Sequence, residues 1–160
     1  MNQMARVRTL LQYVCVPMSA CVLTACSTTK PPTIALRTVE LVGSTDDAHE
    51  LLIVLDAQNP NERALPLLDV EYEVLVDGTL AFAGNRAALA TAPGFGAQTF
   101  VLPAPVMRDA AGAAIVGKAC SVRGRVGYLE PTPLATTLRE LDIPPSHASF
   151  DGNATIAGGR

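Results

Sequence analysis

The sequence predicts an all-β domain, a two-sheet sandwich of about seven short strands with one segment that reads as a short helix. Three observations predict it. In several separate stretches, apolar residues alternate with polar ones at the period of a pleated strand. Twelve glycines and twelve prolines in 160 residues, with asparagines among them, punctuate the chain where turns need them. Apolar residues make up 49% of the chain and charged residues 17%, which excludes a hydrophilic, disordered polymer and supplies enough apolar surface for a core.

The first expected strand covers 34–42. The second lies in HELLIVLDAQ and is apolar on both faces at its centre, as a deeply buried strand is. Asn59-Pro60-Asn61 ends it, because proline donates nothing to a ladder and asparagine suits turn conformations. The clearest strand is DVEYEVLVD, in which Val70, Tyr72, Val74 and Val76 alternate with Asp69, Glu71, Glu73, Leu75 and Asp77. One face is apolar and the other mostly charged. Asp77-Gly78 is a strong hairpin signal, and Leu80 and Phe82 are expected on one face of the returning strand. Segments 98–102, 121–129 and 148–156 complete the set. In the last, Ala148, Phe150, Ala154 and Ile156 alternate with Ser149, Asp151, Asn153 and Thr155. Only 104–117, APVMRDAAGAAIVG, reads as a helix, through its alanines, with Gly112 weakening it.

Ahead of the strands stands a different kind of segment. Arg6 and Arg8 form a basic start, and 9–22 is mostly apolar and uncharged, about the length of a signal-peptide core. A bilayer-crossing helix needs about 20 apolar residues, and Gln12 and Pro17 interrupt this shorter run. Leu23-Thr24-Ala25-Cys26 resembles a bacterial lipobox, whose cysteine receives diacylglycerol before cleavage. The resemblance implies a lipoprotein signal peptide at 1–25, with Cys26 as the lipidated N-terminus. The competing reading is an ordinary secretory signal with a chance cysteine. Behind Cys26, STTKPPT has little to bury, so 26–33 is expected to be a tether, its last seven residues reaching about 23 Å when stretched. The folded domain is then 34–156, with a short tail at 157–160. Because Ser27 rather than Asp follows the cysteine, resemblance to Gram-negative lipoproteins implies delivery to the periplasmic face of the outer membrane.

Without the leader, Cys120 is the only cysteine left as a thiol, and one cysteine closes no internal disulfide. It is expected to be a buried hydrophobe. Loss of Arg6 and Arg8 leaves ten basic residues against fifteen acidic ones, a net charge of −5. That balance argues against nucleic acid or an anionic membrane surface as the main partner.

Several residues together are similar to a known family. Ile34-Ala35-Leu36 and LLIVLDAQNPNERALPLLDVEYEVLVDGTLAFAG, with Asn59, Pro60, Asn61, Tyr72, Gly78 and Gly84, resemble the LEA type 2, or WHy (water stress and hypersensitive response), domain. RGRVGYLEP and SFDGNATI resemble its final strands. The resemblance implies an immunoglobulin- or fibronectin-III-like sandwich, a link to desiccation stress and no catalytic residues. The segment 131–145 looks longer than the family's usual connection.

Other candidate sites are weak. GAAIVGKA places Gly112, Gly117 and Lys118 as in a phosphate loop, but Ala119 stands where the magnesium-binding hydroxyl belongs, and a strand follows. His49 and His147 have no neighbours at ligand spacing and are expected to be solvated. Asp46-Asp47 lacks the alternating carboxylates of a calcium loop. Asp69, Glu71, Glu73 and Asp77 are expected to keep an outward strand face soluble. Asn153-Ala154-Thr155 matches a glycosylation sequon, which means little in a bacterial lipoprotein. No Gly-x-Ser-x-Gly elbow is present, and no cofactor, metal or nucleotide is expected. The expected function is a non-enzymatic binding or stress-protection module, held to the envelope membrane through Cys26 and partnered by envelope proteins or lipids. The alternative is a lipid-binding or lipid-transfer module, which would require an apolar cavity.

Overall fold

The computed structural model of the chain describes residues 29–111, 114–132, 137, 141 and 144–159. Among these residues run eight strands: β1 (Thr33–Ser44), β2 (Ala48–Gln58), β3 (Leu65–Val76), β4 (Thr79–Ala87), β5 (Thr91–Ala92), β6 (Ala97–Met107), β7 (Ala119–Tyr128) and β8 (Ser146–Gly158). A single helical turn, α1 (Arg108–Ala111), follows β6.

The strands order as β4-β3-β7-β8-β1-β2-β6, with β5 beside β3. Instead of two separate sheets, one sheet continues through a short parallel join, Val39↔Ile156 to Leu41↔Gly158. The end strands β4 and β6 approach each other. The sheet is therefore curled nearly into a barrel, and the all-β expectation holds in that form. The segment after β7 does not disturb the pairing, since β7 and β8 match without a slip from Ala119↔Thr155 to Tyr128↔Ser146.

The alternation in β3 works as the sequence predicts: Val70, Tyr72, Val74 and Val76 are buried, and they face Leu51, Ile53, Leu55, Leu102, Val122, Val126 and Phe150 in one core. Asp77 and Gly78 turn the β3–β4 hairpin with φ of 50° and 82°, the left-handed geometry of the favoured two-residue turn. The returning strand departs from expectation. A bulge between Leu80 and Phe82 sets Phe82 opposite Val74 and Leu80 opposite Leu75, so Phe82 packs against the core while Leu80 is exposed. In β2, Leu51, Ile53 and Leu55 are fully buried, but Leu52 and Val54 on the other face are only half-buried.

The expected helix over 104–117 is corrected. Ala104 and Val106 continue β6 by pairing with Leu51 and His49 of β2, and both are buried. Helix propensity favours alanine by less than about 1 kcal/mol per residue, less than a buried ladder supplies. Only Arg108–Ala111 winds into a helical turn.

A row of large and small residues crosses the inner face: Gly84 of β4, Tyr72 of β3, Gly124 of β7 and Phe150 of β8 are consecutive partners. A Cβ on Gly124 would lie 2.3 Å from the Glu71 carbonyl oxygen and 2.8 Å from the Phe150 ring. The Tyr72 ring stacks against Phe82 with centroids 5.3 Å apart, and its hydroxyl donates to the Pro103 carbonyl of β6. That bond ties β3, next to one end of the curled sheet, to the end strand β6. It also shows that Pro103 turns its carbonyl away from β2, so the missing N–H of Pro103 and Pro105 falls on the open edge. Such prolines block further strand addition there.

Cys120 is buried, and burial pushes its thiol up to about 11 from 9.0. The folded-state pKa is raised, so the stability tied to the neutral thiol is present below the unfolded pKa and is lost as pH rises from 9 towards 11. Native protein at pH 8 is expected to resist a thiol-reactive dye that labels it fully in denaturant. Rapid labelling of the native state would show that the β7 packing is wrong.

Candidate functional site

The Asn59-Pro60-Asn61 turn between β2 and β3 carries a dense cluster of hydrogen bonds, and two asparagine side chains build it. Asn59 is completely buried. Its Nδ2 donates to the carbonyls of Arg63, Ala92 and Pro93 at 2.8, 3.2 and 3.1 Å. Its Oδ1 accepts from the backbone N–H and the side-chain Nδ2 of Asn61, both at 2.9 Å. A buried amide with its donors and acceptor used stabilises a loop that has little apolar surface of its own.

Asn61 passes this order outward. Its Nδ2 donates to the Lys30 carbonyl at 2.8 Å, and its Oδ1 accepts from the Lys30 N–H at 2.9 Å. Its carbonyl accepts from the Phe95 N–H at 2.8 Å. Gly94 permits this contact, because a Cβ there would lie 1.8 Å from the Glu62 carbonyl oxygen. The chain approaching β1 and the β5–β6 turn are thus clamped to one residue. Leu23, Thr24, Ala25 and Cys26 lie outside the described residues.

A second feature occupies the outward face of β3 and β7. Glu71 and Glu73 lie opposite Arg125 and Arg123, with Nη2–Oε2 distances of 2.7 and 2.6 Å. The carboxylates therefore do more than solubilise: they cross-link two neighbouring strands. All four groups are half-exposed, so each pair contributes about 0–1 kcal/mol. Together with Asn85, Ser149 and the backbone of Gly84 and Gly124 they line an open groove of about 780 Å³. Each carboxylate is committed to a guanidinium, which leaves no free acid and base facing each other.

The opposite end of the domain carries His49. It is buried rather than solvated, because the register with β6 turns it inward beside Val106. Its Nδ1 lies 2.7 Å from the Ser44 hydroxyl, and an Arg108 Nη lies 3.4 Å from the same hydroxyl. Ser44, His49 and Arg108 close the β1–β2 hairpin against the end of β6. No spacing in the sequence announces this cluster, since its members lie on three elements. His147 is exposed on β8.

Lys118 pairs with Asp77 at 3.1 Å and leads into β7, so no helix follows the phosphate-loop-like segment; Gly112 lies outside the described residues. Asp46 and Asp47 form the bend between β1 and β2. The described residues contain no group of three or more His, Cys, Asp or Glu side chains arranged to hold a metal.

No family model matches the chain, and no curated protein matches it. Solved structures do. The solution structure of At1g01470 from Arabidopsis thaliana matches with a TM-score of 0.53 at 15% identity, over 82% of this chain and 85% of that one. The solution structure of At2g46140.1, a candidate late embryogenesis abundant (LEA) protein, matches with a TM-score of 0.51 at 15% identity, over 79% and 71%. The X-ray structure of the structural-genomics target SoR45 matches with a TM-score of 0.52 at 11% identity, over 79% and 88%. At these identities the likeness shows the fold, which is LEA-like.

Proposed function

We propose that this chain is a membrane-anchored, non-enzymatic lipoprotein of the bacterial cell envelope, whose LEA type 2/WHy-like domain works as a folded binding or desiccation-protection module. We read the curled sheet as the family's immunoglobulin- or fibronectin-like sandwich, with β6-β2-β1 opposed to β4-β3-β7-β8. The observation that carries the function is the asparagine clamp on Lys30, which holds the domain four residues behind the lipobox cysteine. A domain fixed so close to Cys26 is built to stand at a membrane. Its filled core, with Leu51, Ile53, Leu55, Leu102 and Ile156 fully buried, supports action through the outer surface over storage of an acyl chain.

Cys26→Ala tests the anchor. The variant should lose labelling by an alkynyl fatty acid and move from the membrane fraction to the soluble one. Persistent labelling would remove Cys26 from its role. The wild-type protein should sediment with the outer membrane in a density gradient, and recovery with the inner membrane would reject that location.

A further inference from the structure

We infer that the tethered end of the domain seats directly on the phospholipid surface, with Phe95 and Leu89 entering the bilayer interface. This rests on the lipid-anchor reading above and adds to it an orientation and a second point of contact.

Phe95 and Leu89 are the most exposed large apolar residues among those described, at 71% and 94%. Both have a φ of 49°, a left-handed conformation that bulky side chains rarely adopt and that costs energy. The fold thus accepts strain at two positions, and at both the outcome is an apolar side chain in water. Strain of this kind is retained where surrounding bonds impose it. For Phe95 the bond is its N–H to the Asn61 carbonyl; for Leu89 the flanking residues are held by Ala88 N–H to the Leu68 carbonyl and Leu67 N–H to the Ala90 carbonyl.

The tether decides what covers these side chains. Lys30 and Phe95 are bonded to the same residue, Asn61. From Cys26 to Lys30 the chain can span at most about 14 Å. An acylated Cys26 therefore keeps the bilayer within a short reach of the turn that carries Phe95, and the apolar tips face the one apolar phase nearby. Exposed Lys30 and Arg63 suit phosphate headgroups, while neighbouring Glu62 offsets one of them. The contact is accordingly apolar in the main and does not depend on anionic lipid.

The chain contains no tryptophan, so single-tryptophan variants report position cleanly. Full-length protein bearing Phe95→Trp, Leu89→Trp or, as a control on the far β3–β4 hairpin, Leu80→Trp would be extracted from membranes and reconstituted into phosphatidylcholine vesicles. Intact mass would establish acylation of each. Phe95→Trp and Leu89→Trp should show blue-shifted emission and quenching by brominated phosphatidylcholine several-fold greater than Leu80→Trp. Acylated protein with equal quenching at all three positions, or with none, would overturn the seating and leave the anchor intact. Absence of acyl chains on Cys26 would overturn both. Quenching unchanged when phosphatidylglycerol is added supports the apolar contact, and quenching that requires phosphatidylglycerol overturns it.

Discussion

Val74→Asp is expected to abolish cooperative folding, while Glu73→Lys, one residue away, leaves a folded domain. Val74 is completely buried in β3, between Phe82 of β4 and Val122 of β7. Its cross-strand neighbours on both sides are apolar, so an aspartate there is a desolvated charge with no cation opposite it. Such a group costs several kcal/mol, on the order of half or more of a domain's total stability of about 5–15 kcal/mol. Glu73 points to the opposite face and is 40% exposed in its ion pair with Arg123. Replacing it with lysine breaks that pair and sets two cations side by side in solvent, at a cost of about 1 kcal/mol. Circular dichroism and thermal melting separate the two outcomes. A Val74→Asp variant that melts like the parent would show that β3 does not occupy the core.

Asn59→Asp should be nearly as damaging at neutral pH, although it changes one atom. The Nδ2 that serves the carbonyls of Arg63, Ala92 and Pro93 becomes an oxygen that faces them. Each orphaned buried carbonyl costs about 1–3 kcal/mol, and the repulsion adds to that. The pH dependence distinguishes this cause from general misfolding. Although one oxygen keeps the two Asn61 donors, the other faces three carbonyls in a buried site, so the new carboxyl has a folded-state pKa raised above its unfolded value of about 3.9. Its protonated form can donate once, so the deficit is smallest below the unfolded pKa and grows as pH rises through the folded one. The variant should therefore lie closest to the parent in melting temperature at low pH. A deficit independent of pH would contradict the donor role. Asn61→Ala, which keeps the backbone donor to Asn59 but frees Lys30, should cost only about 1 kcal/mol.

What the sequence determined by itself is the set of local patterns. Period-two alternation identified β3 and β8 and their buried faces, because a pleated strand sends successive side chains to opposite sides whatever lies beyond it. Asp77-Gly78 located a hairpin because its two left-handed residues are a local requirement. Asn59-Pro60-Asn61 marked the end of β2 for the same kind of reason, though nothing local revealed that Asn59 would be buried by β5 and the turn after it. Tertiary structure alone decided the matters that depend on a partner strand. Pairing with Leu51 and His49 made a strand of 104–107 despite the alanine-rich run that follows, and turned His49 out of water. The bulge at Ala81 parted Leu80 from Phe82, and the β3–β7 register joined Glu71 to Arg125 and Glu73 to Arg123. The parallel join of β1 to β8, which makes one curled sheet of two expected ones, involves residues more than a hundred positions apart. Register sets which faces meet, and a slip of one residue inverts every side chain. That choice is made by the summed burial of distant residues, so no window of the sequence contains it.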